Sequence, residues 1–105
     1  MNKHQALSKL LLNLEENLIK AKLWQELPVR SDLLQSTEPF CHDTLKAEQW
    51  LQFVFLTKLE QSVKLNLPLP TNCDITPYIA EALKEHEQVG LITKATKDID
   101  SLLSN

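Results

Sequence analysis

The chain has 105 residues, a formal net charge of −3 at pH 7 and 43% hydrophobic residues, which suits a single globular domain covering 1–105. Its 11 basic and 14 acidic residues are interspersed, so no basic face for nucleic acid is visible. The chain has a single glycine, so it cannot form a glycine-rich phosphate-binding loop. The longest apolar run, residues 53–56, is far too short to span a bilayer, and the start lacks a signal-peptide pattern. With two cysteines in addition, these features predict a cytoplasmic protein without a membrane partner.

Leucines near the amino terminus predict a first helix from about Lys3 to Trp24. Apolar residues recur there at alternating intervals of four and three positions, as in the seam of a bundle or coiled coil: Leu7, Leu11, Leu14, Leu18 and Ala21. Leu12, Ile19 and Leu23 form a second, thinner stripe away from that seam. This stripe is interpreted either as ordinary surface leucines or as a contact with a partner or a second copy.

A long, irregular loop is predicted between residues 26 and 43. Pro28 ends the helical region because proline cannot continue a helix and restricts the residue before it. A loop of this length in so small a chain is typically packed or functional. We expect Leu33, Leu34 and Phe40 to hold it against the bundle, over Trp50 and Val54.

The most apolar helix is predicted from about Thr44 to Lys64, with two good N-cap residues at positions 43 and 44. Trp50 and Val54 belong to a set that wraps nearly the whole circumference of its first half. A helix that is apolar all round is usually buried on more than one side, here by the loop or by a second chain. Gln52 lies on the same face of this helix as the predicted core residues. We therefore expect its side-chain amide to be buried and hydrogen-bonded to backbone groups.

The linker that follows contains the sequence LPLP and is expected to be extended. The Thr-Pro pair at 76–77 suits the N-cap and first position of a third helix, from Pro77 to about Glu85. A last helix is predicted from about Gln88 to Leu103, with Leu91 on its inner stripe and Asp100 outside. Together these elements predict an all-α, single-domain, irregular four-helix bundle with a long packed loop between the first and second long helices.

Residue types used in catalysis and metal binding are few and unsuitably spaced. Cys41, His42, Asp43 and Cys73 lack the short paired intervals of zinc ligands, and adjacent side chains point in different directions. The same geometry argues against a nucleophile pair formed by Cys41 and His42. The glutamate pairs have no predicted apolar pocket beside them, so acid–base catalysis is unsupported. We therefore predict no catalytic, cofactor-binding or metal-binding residues.

Three segments, STEPFCHDTLKAEQWLQFVF, LPLP and ITPYIAEAL, resemble the YqcC-like family of small bacterial domains of unknown function. The resemblance extends over nearly the whole chain and implies an all-helical bundle without an established chemistry. Such domains are sometimes labelled as related to a tRNA pseudouridine synthase. Pseudouridine synthases use a mixed α/β domain with an essential Asp in an RLD-type motif, and no RLD occurs here. We therefore expect that the chain is not itself such an enzyme and that Asp43 is a helix cap.

The first functional hypothesis is a non-enzymatic interaction or adaptor module that binds a protein partner or a second copy. The alternative is an accessory factor in tRNA modification that contacts RNA or the synthase, although the charge does not support RNA binding. A further alternative is a bundle that binds a small molecule near Phe40, Trp50 and Tyr78. The candidate interaction or motif residues are Phe40, His42, Asp43, Trp50, Gln52, Val54, Tyr78, Leu12, Ile19 and Leu23.

Overall fold

A computed structural model describes residues 2–104, and every regular element within them is helical. Helix α1 spans Lys3–Lys20, α2 spans residues 47–64, α3 spans Thr76–Ala82 and α4 spans Val89–Leu103. Two short 3-10 turns, Ser31–Gln35 and Pro39–Cys41, lie in the long connection between α1 and α2. The predicted all-α, irregular four-helix bundle with a packed loop is confirmed.

Helix α1 ends at Lys20 rather than near Trp24 because Lys22 adopts a left-handed backbone conformation with φ 61°. The amides of Lys22 and Leu23 donate to the carbonyls of Ile19 and Leu18 at 3.0 and 2.9 Å, which is the Schellman pattern of a helix end. Glycine normally occupies the left-handed position, and a residue with a Cβ pays about 1–2 kcal/mol there. The early stop turns the chain so that Leu23 packs against the core instead of continuing the second stripe.

The core forms where α1 packs against α4 and α2, with α3 packed on α4. The predicted seam of α1 is confirmed, since its leucines are buried. They meet fully buried residues of the other three helices. Burial of each leucine or isoleucine side chain contributes roughly 1.5–3 kcal/mol. The residues that are 0% exposed are Leu7, Leu14, Leu18, Leu51, Ile79, Ile92, Ala95, Thr96, Ile99 and Leu103.

Helix α2 begins at Ala47, so the predicted caps at Asp43 and Thr44 are wrong. Thr44 Oγ1 donates to the carbonyl of Leu33 at 2.6 Å, and Asp43 accepts a hydrogen bond from Ser36. Both side chains therefore tie the loop to itself instead of capping the helix. The helix runs through three consecutive segments, namely Ala47–Trp50, a π-helical Leu51–Leu56 and Thr57–Lys64.

The cap of α3 comes from a distant residue. Ile75 occupies the N-cap position, and its side chain cannot accept a hydrogen bond. The carboxylate of Asp100, from α4, instead accepts from the amides of Ile75 and Thr76 at 3.0 and 2.9 Å. Asp100 is 8% exposed, so its predicted outward position is wrong, as is the inward position predicted for Leu91, which is 38% exposed.

Candidate functional site: an aromatic groove beside α2

An open groove of about 810 Å³ lies between α2 and the linker formed by residues 65–75. We call it the aromatic groove. Phe40 from the loop, residues 50–62 along one side of α2, and residues 68–75 of the linker line it. Its position follows from the fold, because the linker must return along α2 to reach α3.

Four aromatic rings are grouped at the loop end of the groove. The ring of Phe40 stacks on Tyr78 with centroids 4.2 Å apart, and it forms a T-shaped pair with Trp50 whose centroids are 4.9 Å apart. Trp50 in turn lies 5.3 Å from Phe55. Such pairs contribute about 0.5–1.5 kcal/mol each beyond area burial. They confirm that Phe40 holds the loop over Trp50, whereas Leu34 is 40% exposed and does not.

Phe40 reaches this position through an unfavourable backbone. Phe40 and Cys41 have φ of 59° and 50°, in the left-handed region where a non-glycine residue pays about 1–2 kcal/mol. Backbone of this kind persists only where the surroundings determine it strongly, and it concentrates at functional sites. The amides of Cys41 and His42, which donate to Glu38 and Pro39 at 3.0 and 3.2 Å, hold the turn closed.

The π-helical segment of α2, together with Trp50 directly before it, contributes side chains to two surfaces. Trp50 and Val54 are half-buried and line the groove. Gln52 is 7% exposed, accepts from the amide of Gln25 at 2.8 Å and donates to the carbonyl of Gln25 at 2.8 Å. The expectation of a buried, backbone-bonded Gln52 is confirmed. One extra residue per turn is a feature that recurs at functional sites.

The linker wall of the groove is anchored at both ends. His4 Nε2 lies 2.7 Å from the carbonyl oxygen of Leu67, and Asp100 binds the other end through Cys73 Sγ at 3.2 Å and the amide of Ile75. Between these anchors, the main chain of residues 68–72 makes no hydrogen bond to any other residue that the structure describes. The wall is therefore held in place while its backbone groups remain available.

Two charged side chains of opposite sign line the groove, Lys58 on α2 and Asp74 on the linker. Both are exposed, and neither forms an ion pair within residues 2–104. Burial, with the hydrogen bond and charge of Asp100, raises the pKa of the Cys73 thiol to about 12. That thiol is neutral at pH 7 and is a weak nucleophile and metal ligand. Among residues 2–104, no cluster of His, Cys, Asp and Glu is arranged to hold a metal ion.

Four of the candidate residues meet at the groove or directly behind it, namely Phe40, Trp50, Val54 and Tyr78. The other candidates do not share one site. His42 is exposed with Nε2 3.6 Å from Glu38, and Asp43 bonds Ser36. Leu12 and Ile19 are 56% and 52% exposed on α1, and neither lines the groove. Gln52 holds Gln25, and Leu23 packs on the core.

Three side chains at the groove or its anchor are not evident from the sequence: Lys58, Asp74 and Asp100. Lys58 and Asp74 are single charges in a chain of mixed charge, so no local signal marks them. Asp100 lies on a helix face that periodicity assigns to solvent, and its partners are 24 to 27 positions away. The LPLP segment was the available signal for the linker wall, since two prolines predict an extended chain.

The fold and groove define the chain as a small helical bundle with an open aromatic groove. None of the helices in residues 2–104 is long and apolar enough to cross a membrane. A family model described as tRNA pseudouridine synthase C matches residues 6–102. The chain belongs to this family, and its resemblance to YqcC-like domains is confirmed.

Two relatives of similar size are named as uncharacterized proteins. An uncharacterized protein of Haemophilus influenzae is 33% identical over 92 residues, which cover 88% of this chain and 87% of the relative. Uncharacterized protein YqcC of Escherichia coli is 28% identical over all of this chain and 97% of its own length. The solution NMR structure of YqcC superposes with a TM-score of 0.87, covering 100% of this chain and 91% of that one.

A longer relative carries a functional name. The protein named tRNA pseudouridine synthase C from Pectobacterium carotovorum is 36% identical over 70 residues. That match covers 67% of this chain but only 19% of the relative. The similar segment is thus one part of a much longer protein.

Proposed function

We propose that this chain is an interaction module that binds a tRNA pseudouridine synthase in the cytoplasm. The observation that carries the proposal is the similarity to a segment of the Pectobacterium protein of that name, over 67% of this chain and 19% of the longer one. The same kind of domain also occurs in relatives close to this chain in length. A domain that lies within a longer enzyme in one organism, and makes up nearly all of a short protein in another, can act with that enzyme by binding it.

Effective concentration explains why a domain that is not linked to its enzyme needs affinity of its own. Within one polypeptide, a short flexible connection keeps two domains together at a concentration on the order of millimolar. A separate domain loses that advantage and needs surface that supplies affinity. The aromatic groove offers such surface, since Trp50 and Val54 remain half-buried although they are apolar. In this role the chain contributes binding, and the chemistry belongs to the synthase.

The test is direct binding between the purified chain and the tRNA pseudouridine synthase C of the same bacterium. We expect a complex that forms after RNase treatment, measured by isothermal titration calorimetry and by size-exclusion chromatography of the mixture. Chromatography of the chain alone reports any self-association.

Two results would contradict the proposal. No heat and no co-elution would show that the synthase is not the partner. Binding that requires tRNA and weakens steeply with salt would place the contact on RNA, because phosphate contacts release counterions.

A further inference from the structure

We infer that the aromatic groove binds an extended segment of the synthase, with one apolar anchor residue flanked by an acidic and a basic side chain. This inference rests on the proposed function and adds the surface and the chemistry of the bound segment. Three properties of the groove carry it: an apolar floor, a wall with free main-chain groups, and opposite charges on opposite walls.

The floor defines the anchor. Trp50, Val54 and Phe55 line the groove beside Leu59, and the half-buried Trp50 and Val54 have apolar surface left to cover. Binding energy at interfaces concentrates where an apolar side chain fills such a pocket and excludes water. The groove therefore fits a side chain of leucine or phenylalanine size.

The linker wall defines the backbone of the bound segment. A helix satisfies its own main-chain groups, whereas an extended segment needs partners for them. Within residues 2–104, the carbonyls of 68–72 and the amides of Leu69, Thr71 and Asn72 form no hydrogen bond, and Pro68 and Pro70 have no amide to donate. The extended part of this wall is residues 67–70, because the chain bends at 71–72, where Asn72 has φ 58°. The wall is anchored at Leu67 by His4 and at Ile75 by Asp100, so an incoming chain meets main-chain groups that are held in place.

The charges define the flanking residues. Lys58 lies on the α2 wall and Asp74 on the linker wall, and both lack an ion-pair partner in the part of the chain that the structure describes. Complementarity requires an acidic side chain toward α2 and a basic one toward the linker.

Three substitutions test the groove, with purified synthase as the probe and calorimetry as the readout. Val54→Asp is expected to weaken binding about 30-fold, as loss of a central anchor contact does. Lys58→Glu and Asp74→Lys are each expected to weaken it about tenfold, with the effect reduced at high salt. Lys58 and Asp74 are exposed, so their variants test the inference even where Val54→Asp fails to fold, which circular dichroism reports.

Matched controls lie outside the groove. Leu12→Asp changes an exposed leucine on α1, and Lys64→Glu changes an exposed lysine on α2, and both are expected to bind within about twofold of the unmodified chain. If the unmodified chain binds and all three groove variants bind equally well, the groove inference is overturned and the proposed function stands. If the two control variants lose as much affinity for the synthase as the groove variants do, the groove inference is overturned as well. No binding by the unmodified chain overturns both.

Discussion

Asp100, on α4, binds both the end of the linker and the first residues of α3. Its carboxylate accepts from the amides of Ile75 and Thr76, from Thr76 Oγ1 at 2.6 Å and from Cys73 Sγ. Thr76 Oγ1 also lies 3.0 Å from Thr96 Oγ1. One side chain of α4 thus caps α3 and fixes the end of the linker that lines the groove.

Replacing Asp100 with Ala is expected to lower the free energy of unfolding by about 2–4 kcal/mol, because two amides near the core lose a charged acceptor. Equilibrium urea denaturation measures this change. Asp98→Ala is the matched control, since Asp98 only pairs with Lys94 at 3.1 Å on the surface and should cost less than about 1 kcal/mol. Similar losses in both variants would show that Asp100 does not cap α3.

At the scale of elements, side-chain contacts hold the loop between α1 and α2 to itself and to the bundle. Gln52 holds Gln25 at its start, Thr44 holds Leu33, and Phe40 stacks on Tyr78 at its end. The loop lacks glycine, so its tight turn uses Phe40 and Cys41 in left-handed conformations. Aromatic packing offsets the cost of that backbone.

Two substitutions at Phe40 separate the ring from the backbone. Phe40→Ala is expected to destabilise the protein by about 2 kcal/mol, less than for a fully buried phenylalanine, because the ring is half-buried. Phe40→Gly removes the same ring but relieves the left-handed strain, so it should be about 1 kcal/mol more stable than Phe40→Ala. Urea denaturation of both variants provides the comparison. A glycine variant that is the less stable of the two would argue against the left-handed turn.

At the scale of the whole molecule, the rotation of α4 about its axis decides what the core contains. Ile92, Ile99 and Leu103 are 0% exposed, while the adjacent Leu91 is 38% exposed. The carbonyl of Leu91 accepts from Asn17 Nδ2 at 3.3 Å, which links the first turn of α4 to α1. The same rotation turns Asp100 toward α3 and the linker.

Neighbouring substitutions test this rotation. Ile92→Ala is expected to cost about 2–5 kcal/mol because it leaves a cavity between the helices. Leu91→Ala should cost about 0.5 kcal/mol, as exposed positions do. Thermal unfolding measures both, with a shift of roughly 4–8 °C per kcal/mol for a domain of this size. If Leu91→Ala lost more stability than Ile92→Ala, Leu91 would have to lie in the core and α4 would have to be rotated differently.

Much of the fold was predictable because its signals are local. The leucine intervals of α1 predicted its buried seam, and the apolar circumference of α2 predicted burial on more than one side. The burial of the Gln52 amide was predictable from the helix face on which Gln52 lies. Its hydrogen-bond partner, the backbone of Gln25, was not predictable. Phe40 and Trp50 were predicted to meet because a long loop beside a strongly apolar helix has few other places to pack.

The sequence by itself determined that this protein is a four-helix bundle, since helix formation and the apolar stripes depend on residues a few positions apart. Only the tertiary structure decided where α2 begins, which side of α4 is buried, and where the groove lies. Asp43 and Thr44 suit helix capping, but loop partners at Ser36 and Leu33 take their hydrogen bonds. Asp100 suits solvent by its helix alone, but unpaired amides at residues 75 and 76 draw its carboxylate inward. These choices depend on groups that only folding brings together.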